Sequence, residues 1–332
     1  MSRTVVRADE EGEPPVAVLT TGGTIASTRT AAGVVSSSVG EQALATALAD
    51  AGASVHLQQV LCVNGFAIQL DQMLAIARAA VSSAERYAGV VVTHGTDTLE
   101  ETAYLTDLMY DGAAPIVFTG AQRSADDPDS DGPGNLRAAV CVASARHLQG
   151  HGVVVAMNGR VDAARDAVKV HSHAARAFAG GEAGPVAELG PAGLRVLRCP
   201  ARRRALEPAA LDAPVALVKL GAGDDGYLIE AARDAGARGV VVEAFGLGNA
   251  NPAVVASVRS AVEQGVLVLL TTRCAAGGVA AVYGAGGAVD LADAGAVLAG
   301  TLTAVKARIL LLAALGTVGS TAAALRAVRQ HL

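Results

Sequence analysis

Tryptophan is absent from this chain, and its 332 residues include five tyrosines and four phenylalanines. Aromatic stacking therefore cannot carry the core, which must be filled by Ala, Val and Leu. A hydrophobic content of 52% supplies enough of them for a globular protein and excludes general disorder. Positive charge is also sparse. The net charge is −5, and the one basic run, Arg202-Arg203-Arg204, is too short for a nucleic-acid face and reads as a solvated linker. No apolar stretch approaches the roughly 20 residues that span a bilayer, the segment Ile309 to Leu315 falling far short, so no membrane association is expected. Residues 1–14 carry acids and arginines without an apolar run, match neither a secretory signal nor an anchor, and are expected to form a disordered tail on a cytoplasmic protein. The four cysteines, Cys62, Cys141, Cys199 and Cys274, are far apart and lack C-x-x-C spacing, which argues against a disulfide framework and against zinc. Buried free thiols are the expectation.

What the chain does have is a βαβ rhythm. Val-rich runs near 16–20, 55–61, 89–93, 115–119 and 152–157 alternate with Ala-rich helical stretches near 41–50, 71–86, 98–110 and 134–148. A Pro- and Arg-bearing stretch interrupts the series, which resumes at 214–218, 239–242 and 266–270. The expected fold is two-domain α/β: a larger N-terminal domain with a mostly parallel sheet and a smaller C-terminal Rossmann-like domain. Boundaries are placed at 1–14 for the tail, 15–190 for the N-terminal domain, 191–212 for a linker and 213–332 for the C-terminal domain.

Two turns carry the chemistry. Val16-Ala17-Val18-Leu19 runs into Thr20-Thr21-Gly22-Gly23-Thr24-Ile25-Ala26, where two glycines allow a tight turn and close backbone approach, offering Thr24 as a candidate nucleophile. Gly89-Val90-Val91-Val92 runs into Thr93-His94-Gly95-Thr96-Asp97-Thr98. Thr98 with Glu101 fits a capping box for the following helix, while Thr96 and Asp97 remain at the carboxyl end of a strand, where open α/β sheets place their ligands. In Arg165-Asp166-Ala167-Val168-Lys169, the alternation reads as a strand, and a surface pair between Lys169 and Asp166 is the ordinary explanation of the lysine.

Thr21-Gly22-Gly23-Thr24-Ile25-Ala26 and His94-Gly95-Thr96-Asp97-Thr98-Leu99-Glu100-Glu101-Thr102-Ala103 resemble the two signature motifs of the bacterial-type L-asparaginase (asparaginase/glutaminase) family. Similar stretches follow in the family's order: Thr119 to Arg123, Ser130 to Leu136, Arg165 to Lys169, Gly246 to Asn251, and Gly300 to Leu302. The resemblance implies an amidohydrolase releasing ammonia from L-asparagine through a threonine nucleophile and an acyl-enzyme, without a metal or organic cofactor. It implies that Thr24, Thr96, Asp97 and Lys169 are catalytic. Asp97 would hold the substrate's α-amino group, and main-chain N–H groups near Ala121 and the glycine turn would stabilise the oxyanion. Asn251 corresponds to a residue that crosses between subunits, so a homodimer or homotetramer is implied.

The sequence also departs from the family. The loop from Ser27 to Ser38 lacks the tyrosine that partners the first threonine, leaving Ser36, Ser37 and Ser38 as candidates by proximity. Gly65-Phe66 falls where a Ser-Gln pair ordinarily binds the substrate carboxylate, so Gly65 can contribute only backbone. The neighbouring subunit's glutamate, expected before Asp290, has no match in Gly286-Gly287-Ala288-Val289. Two readings therefore stand beside asparagine hydrolysis: an amidase for glutamine or another small amide, and a non-catalytic amino-acid binder of the same fold. Metal signals fail on inspection. Asp127 to Gly132 opens like a calcium loop, but its twelfth position is Ala138, and His171-Ser172-His173 has no third ligand at a recognisable spacing. The turn Gly221-Ala222-Gly223 is a weak dinucleotide signal.

Overall fold

The computed structural model describes residues 4–6, 15–29, 35–37, 46–48 and 53–332. It divides into two compact units, Met1–Ala205 and Leu206–Leu332. The strands of the first unit are β1 (Thr4–Val6), β2 (Val16–Gly22), β3 (Ser27–Arg29), β4 (Val35–Ser37), β5 (Val55–Val63), β6 (Gly89–Thr93), β7 (Ile116–Thr119), β8 (Val153–Met157), β9 (Arg160–Ala163), β10 (Val168–Lys169), β11 (Phe178–Ala179), β12 (Ala187–Gly190) and β13 (Gly193–Val196). Nine of them form one sheet in the order β1-β5-β2-β6-β7-β8-β9-β12-β13. Its centre, β5-β2-β6-β7-β8, is parallel, and the flanking pairings are antiparallel.

Both faces of this sheet are covered, which explains strands that read as continuous valine rather than as an alternation. Val16, Val18, Val91 and Val117 face one cluster completed by Leu136, Ala139 and Val140 of the helix Gly132–Ser144. Ala17, Leu19, Val90 and Val92 face the other, completed by Ile76 of α1 (Leu70–Ala84) and by Leu99 and Ala103 of α2 (Leu99–Leu108). The helix Gly132–Ser144 is α3.

The second unit has a four-stranded, all-parallel sheet, β14 (Val215–Lys219), β15 (Gly239–Ala244), β16 (Leu267–Thr272) and β17 (Val297–Leu298), in that order. Its helices are α4 (Tyr227–Asp234), α5 (Pro252–Glu263), α6 (Ala288–Asp293), α7 (Ala304–Thr317) and α8 (Thr321–His331). Val240, Val242 and Leu270 pack with Ile229, Val254, Val258 and Leu291. Both units have the α/β build with parallel strands expected from the sequence.

Several local expectations differ. Within 1–14, Thr4–Val6 pairs antiparallel with Val55–Leu57, because a β-branched triplet suits an open sheet edge. Gly193–Val196, assigned to the linker, is an edge strand: Gly190-Pro191-Ala192-Gly193 reads as a breaker but is the turn of the β12–β13 hairpin. The helix expected near 41–50 falls largely outside the described residues. All four cysteines are exposed rather than buried.

Candidate active site

Four turns come together at the carboxyl edge of the first sheet because β5, β2, β6 and β7 are adjacent and parallel. β2 runs into Gly22-Gly23-Thr24, β5 into Gly65, β6 into Gly95-Thr96-Asp97, and β7 into Gly120-Ala121. Their closeness requires missing side chains. Gly22 and Gly23 have φ values of +97° and +82°, a region that favours glycine. A β-carbon on Gly23 would lie 2.6 Å from the Gly95 nitrogen, and one on Gly95 would lie 2.6 Å from the Gly65 Cα. On Gly120 it would meet the His94 carbonyl oxygen at 2.6 Å and the Thr96 methyl at 3.2 Å. The glycines thereby draw the threonine-bearing turns, Gly65 and the Ala121 turn into one cluster.

Lys169 enters from the β10–β11 hairpin, where it pairs with Phe178. Its Nζ donates to Thr96 Oγ1 at 2.9 Å and to Asp97 Oδ1 at 2.7 Å. Thr96 is 6% exposed, while the Lys169 and Asp97 side chains are 14% and 53% exposed. The ammonium is thus largely withdrawn from water, with a hydroxyl on one side and a half-exposed carboxylate on the other. The expected surface pair with Asp166 is replaced: Asp166 instead accepts from Arg198 Nη2 at 2.7 Å.

Backbone scaffolding around these groups was not apparent from the sequence. Thr98 does not cap α2 with its side chain; its hydroxyl donates to the Gly65 carbonyl at 2.8 Å, fastening the second signature turn to the turn after β5. His94 is fully buried beneath the Thr96 turn, with Nδ1 2.8 Å from the Gly95 carbonyl and Nε2 2.9 Å from the Thr102 hydroxyl. A carbonyl only accepts, so Nδ1 carries the proton and Nε2 accepts from Thr102. Burial lowers the His94 pKa to about 4, partly offset by the Gly95 hydrogen bond, so the ring is neutral near pH 7.

The turn bearing Ala121 is held by Asp131, whose carboxylate accepts from Gln122 N at 3.0 Å and Arg123 N at 2.9 Å, and by Asn135, which donates to the Gly120 carbonyl at 3.0 Å. Asp127 accepts from the Asp129 N–H at 2.9 Å, so the acidic run builds turns. Among the described residues no group of three or more His, Cys, Asp or Glu could hold a metal ion. His171 and His173 are exposed and face one another edge-on at 4.6 Å. In the Gly221-Ala222-Gly223 turn the Asp224 carboxylate accepts from the Gly221 N–H, which puts a negative group where a dinucleotide phosphate would need the amide.

Thr24 opens a short 3₁₀ turn, Thr24–Ala26, immediately after Gly23 and is partly buried. Ser38 lies outside the described residues, and Ser36 and Ser37 are described by backbone alone, in β4. Asn251 belongs to the second unit. It caps α5, accepting from Val254 N at 3.0 Å and donating to the Asp224 carbonyl at 2.7 Å.

Fold and site place the chain among α/β proteins whose functional groups gather at the carboxyl edge of a parallel sheet. Residues 15–201 match the family model "Asparaginase, N-terminal", and residues 214–328 match "Glutaminase/Asparaginase C-terminal domain". The chain is 33% identical over 302 residues to an L-asparaginase from Bacillus licheniformis, covering 89% of this chain and 93% of that protein. A probable L-asparaginase from Deinococcus radiodurans is 39% identical over 229 residues, 67% of this chain and 69% of its own length. The crystal structure of a probable cytoplasmic L-asparaginase from Campylobacter jejuni superposes with a TM-score of 0.83 at 26% identity, over 96% of this chain and 100% of the other. The chain belongs to the asparaginase family, and its activity is that of an amidohydrolase. Among the described residues no helix is long and apolar enough to cross a membrane.

Proposed function

We propose that the protein hydrolyses L-asparagine to L-aspartate and ammonia by way of a threonine nucleophile and an acyl-enzyme. The observation that carries this reading is the simultaneous contact of Lys169 Nζ with Thr96 Oγ1 and Asp97 Oδ1. A threonine hydroxyl is a weak nucleophile until a neighbour takes its proton or stabilises the alkoxide. Lys169 does the first as an amine and the second as an ammonium. Asp97 holds Lys169 in place and, being half exposed, keeps carboxylate capacity for the substrate's α-ammonium. The attack comes from Thr24 or Thr96, one hydroxyl from each signature turn. Main-chain N–H groups at the Ala121 turn and the glycine turn receive the developing oxyanion.

Gly65 offers the substrate only its backbone, so the carboxylate end is held by fewer groups than the amide end. Each missing charge-assisted hydrogen bond costs about 1.5 to 3 kcal/mol, which favours a high KM or a preference for glutamine or another small amide. Asn251 uses one amide N–H on Asp224, and the second is the one that reaches a neighbouring subunit in a homodimer or homotetramer. The location consistent with this reading is the cytoplasm.

Ammonia release tests the proposal, measured for wild type, Thr24→Ala and Thr96→Ala across asparagine, glutamine and small β-amides. Wild type should release ammonia from at least asparagine, and each alanine variant should lose on the order of 10³-fold in kcat. Absence of ammonia from every amide would end the reading.

A further inference from the structure

Packing holds the chain around Lys169 on one side only. Two residues upstream, Ala167 is buried in the cluster that contains Leu99 and Ala103 of α2, and across the hairpin Ala177 and Phe178 belong to the same cluster. Downstream, Val170 is 61% exposed and no residue from Val170 to Arg176 is buried. The ladder of β10 and β11 is short, pairing Val168 with Ala179 and Lys169 with Phe178. Beyond it, hydrogen bonds close the hairpin. The Ala177 carbonyl accepts from Val170 N at 2.7 Å and from His171 N at 3.3 Å. His171 Nδ1 in turn accepts from His173 N at 3.2 Å and from Ala174 N at 3.0 Å.

A ring nitrogen that takes two main-chain N–H groups is shaping a turn. A backbone N–H only donates, so Nδ1 is the accepting nitrogen and the ring's N–H is at Nε2. Asn and Asp side chains do the same in turns, where a side-chain oxygen accepts from the backbone two residues on. The His173 ring stands edge-on to the His171 ring at 4.6 Å, and Ser172 Oγ lies 3.0 Å from His173 Nδ1, so the loop tip folds back on the ring that closes it. The run His171-Ser172-His173 therefore builds a turn. Only two peptide units separate that turn from Lys169, whose Nζ must reach Thr96 Oγ1 at 2.9 Å and Asp97 Oδ1 at 2.7 Å. Misplacing a group by about 1 Å can cost about 10²-fold in rate.

We infer that His171 is a positioning residue for amide hydrolysis: its Nδ1 closes the loop that follows Lys169 and so keeps Lys169 Nζ on Thr96 Oγ1. The inference rests on the reading of Lys169 as the group that assists the threonine. His171 acts through Lys169 and not on the substrate.

Steady-state ammonia release by the full chain tests it, on whichever of asparagine, glutamine and small β-amides the wild type hydrolyses fastest. Wild type is compared with His171→Phe, His171→Ala, His171→Asn and Lys169→Met, with a thermal melt of each. Phenylalanine keeps a ring for the His173 contact and removes the acceptor, and alanine removes both. Asparagine puts an accepting oxygen two bonds beyond the β-carbon, where Nδ1 is, and restores the turn. His171→Phe and His171→Ala should each lower kcat about tenfold and leave KM within about twofold, because Asp97 and the Ala121 turn are untouched. His171→Asn should recover most of the rate. All three should melt close to wild type, since the residue is exposed. Wild-type kcat in either His171→Phe or His171→Ala, with Lys169→Met inactive, overturns this inference alone. So does an asparagine variant as slow as the other two. No ammonia from the wild type, or full activity in Lys169→Met, removes the reading of the site and this inference with it.

Discussion

Gly23 and Gly95 meet backbone against backbone, with the position of an added Gly23 β-carbon 2.6 Å from the Gly95 nitrogen and 2.7 Å from its Cα. No side chain lies between the two signature turns, so their threonines are set by main-chain contact. Gly95 touches Gly65 in the same way. Replacing Gly95 by alanine forces the turns after β6 and β5 apart, and the obstructing atoms, the nitrogen and Cα of Gly65, are backbone and not the movable end of a side chain. Gly95→Ala should therefore lower stability by about 1 to 3 kcal/mol, as overpacking does, and reduce kcat far more than a surface alanine substitution of equal stability cost. Thermal melts and ammonia release on the same preparations check both parts. A variant with wild-type melting and wild-type turnover would show that the turns do not need this approach.

The Lys169–Thr96 contact predicts non-additivity. Thr96→Ala removes the hydroxyl and leaves the ammonium on Asp97; Lys169→Met removes the group that donates to the hydroxyl. Each single change should cost about 10² to 10⁴ in kcat, the range for a positioned acid or base, and the double variant little more than either. The cycle is read from ammonia release, with circular dichroism to confirm the fold. Multiplying losses would mean that the two side chains act independently and that their 2.9 Å contact has no chemical role.

Much of this was legible in the sequence because the parallel sheet writes itself plainly: strands covered on both faces must be apolar throughout, and Val16 to Leu19, Val90 to Val92 and Val153 to Val155 are. Thr96 and Asp97 stood out because they lie at the carboxyl end of a strand, and Lys169 only through the resemblance to the asparaginase family. Their convergence could not be read locally, since 72 residues separate Lys169 from Asp97 and the same alternation around Lys169 suits a surface strand paired with Asp166. Thr98 illustrates the opposite error: its spacing to Glu101 satisfies a capping rule, yet its hydroxyl goes to Gly65 across the site. Short-range rules describe what a side chain can do with its own helix and are silent about a neighbouring strand that offers a better acceptor. The contacts of Asp131 and Asn135 were unreadable for the same reason, their partners lying on the turn that follows β7.

Asp131 should matter to catalysis without touching the reacting atoms. Its carboxylate fixes the N–H groups of Gln122 and Arg123 and so orients the peptide units just past Ala121. Asp131→Ala leaves those donors without their acceptor, costing about 1 to 3 kcal/mol of stability, and should lower kcat while KM changes little, since the oxyanion forms after binding. Asp131→Asn retains one accepting oxygen and should recover part of the rate. Steady-state kinetics of the two variants decide the matter, and a change confined to KM would assign Asp131 to substrate binding instead.

His94 makes the folded state sensitive to acid. In the native chain its pKa is lowered to about 4 by burial, against an ordinary value of 6.5 in the unfolded chain. Between these values the unfolded state binds the extra proton, so the histidine's contribution to stability is intact above about pH 6.5 and is lost as pH falls toward 4. From pH 7 to pH 4.5 the loss amounts to about 2 kcal/mol from this residue, at 1.36 kcal/mol per pKa unit. Urea unfolding of wild type and His94→Gln at the two pH values isolates it. Glutamine keeps a side-chain amide for the Gly95 carbonyl and the Thr102 hydroxyl but cannot titrate, so the variant should show a smaller decrease on acidification even if it is less stable at pH 7. Equal decreases in the two proteins would mean that other groups set the acid response and that the buried imidazole is protonated or released without cost.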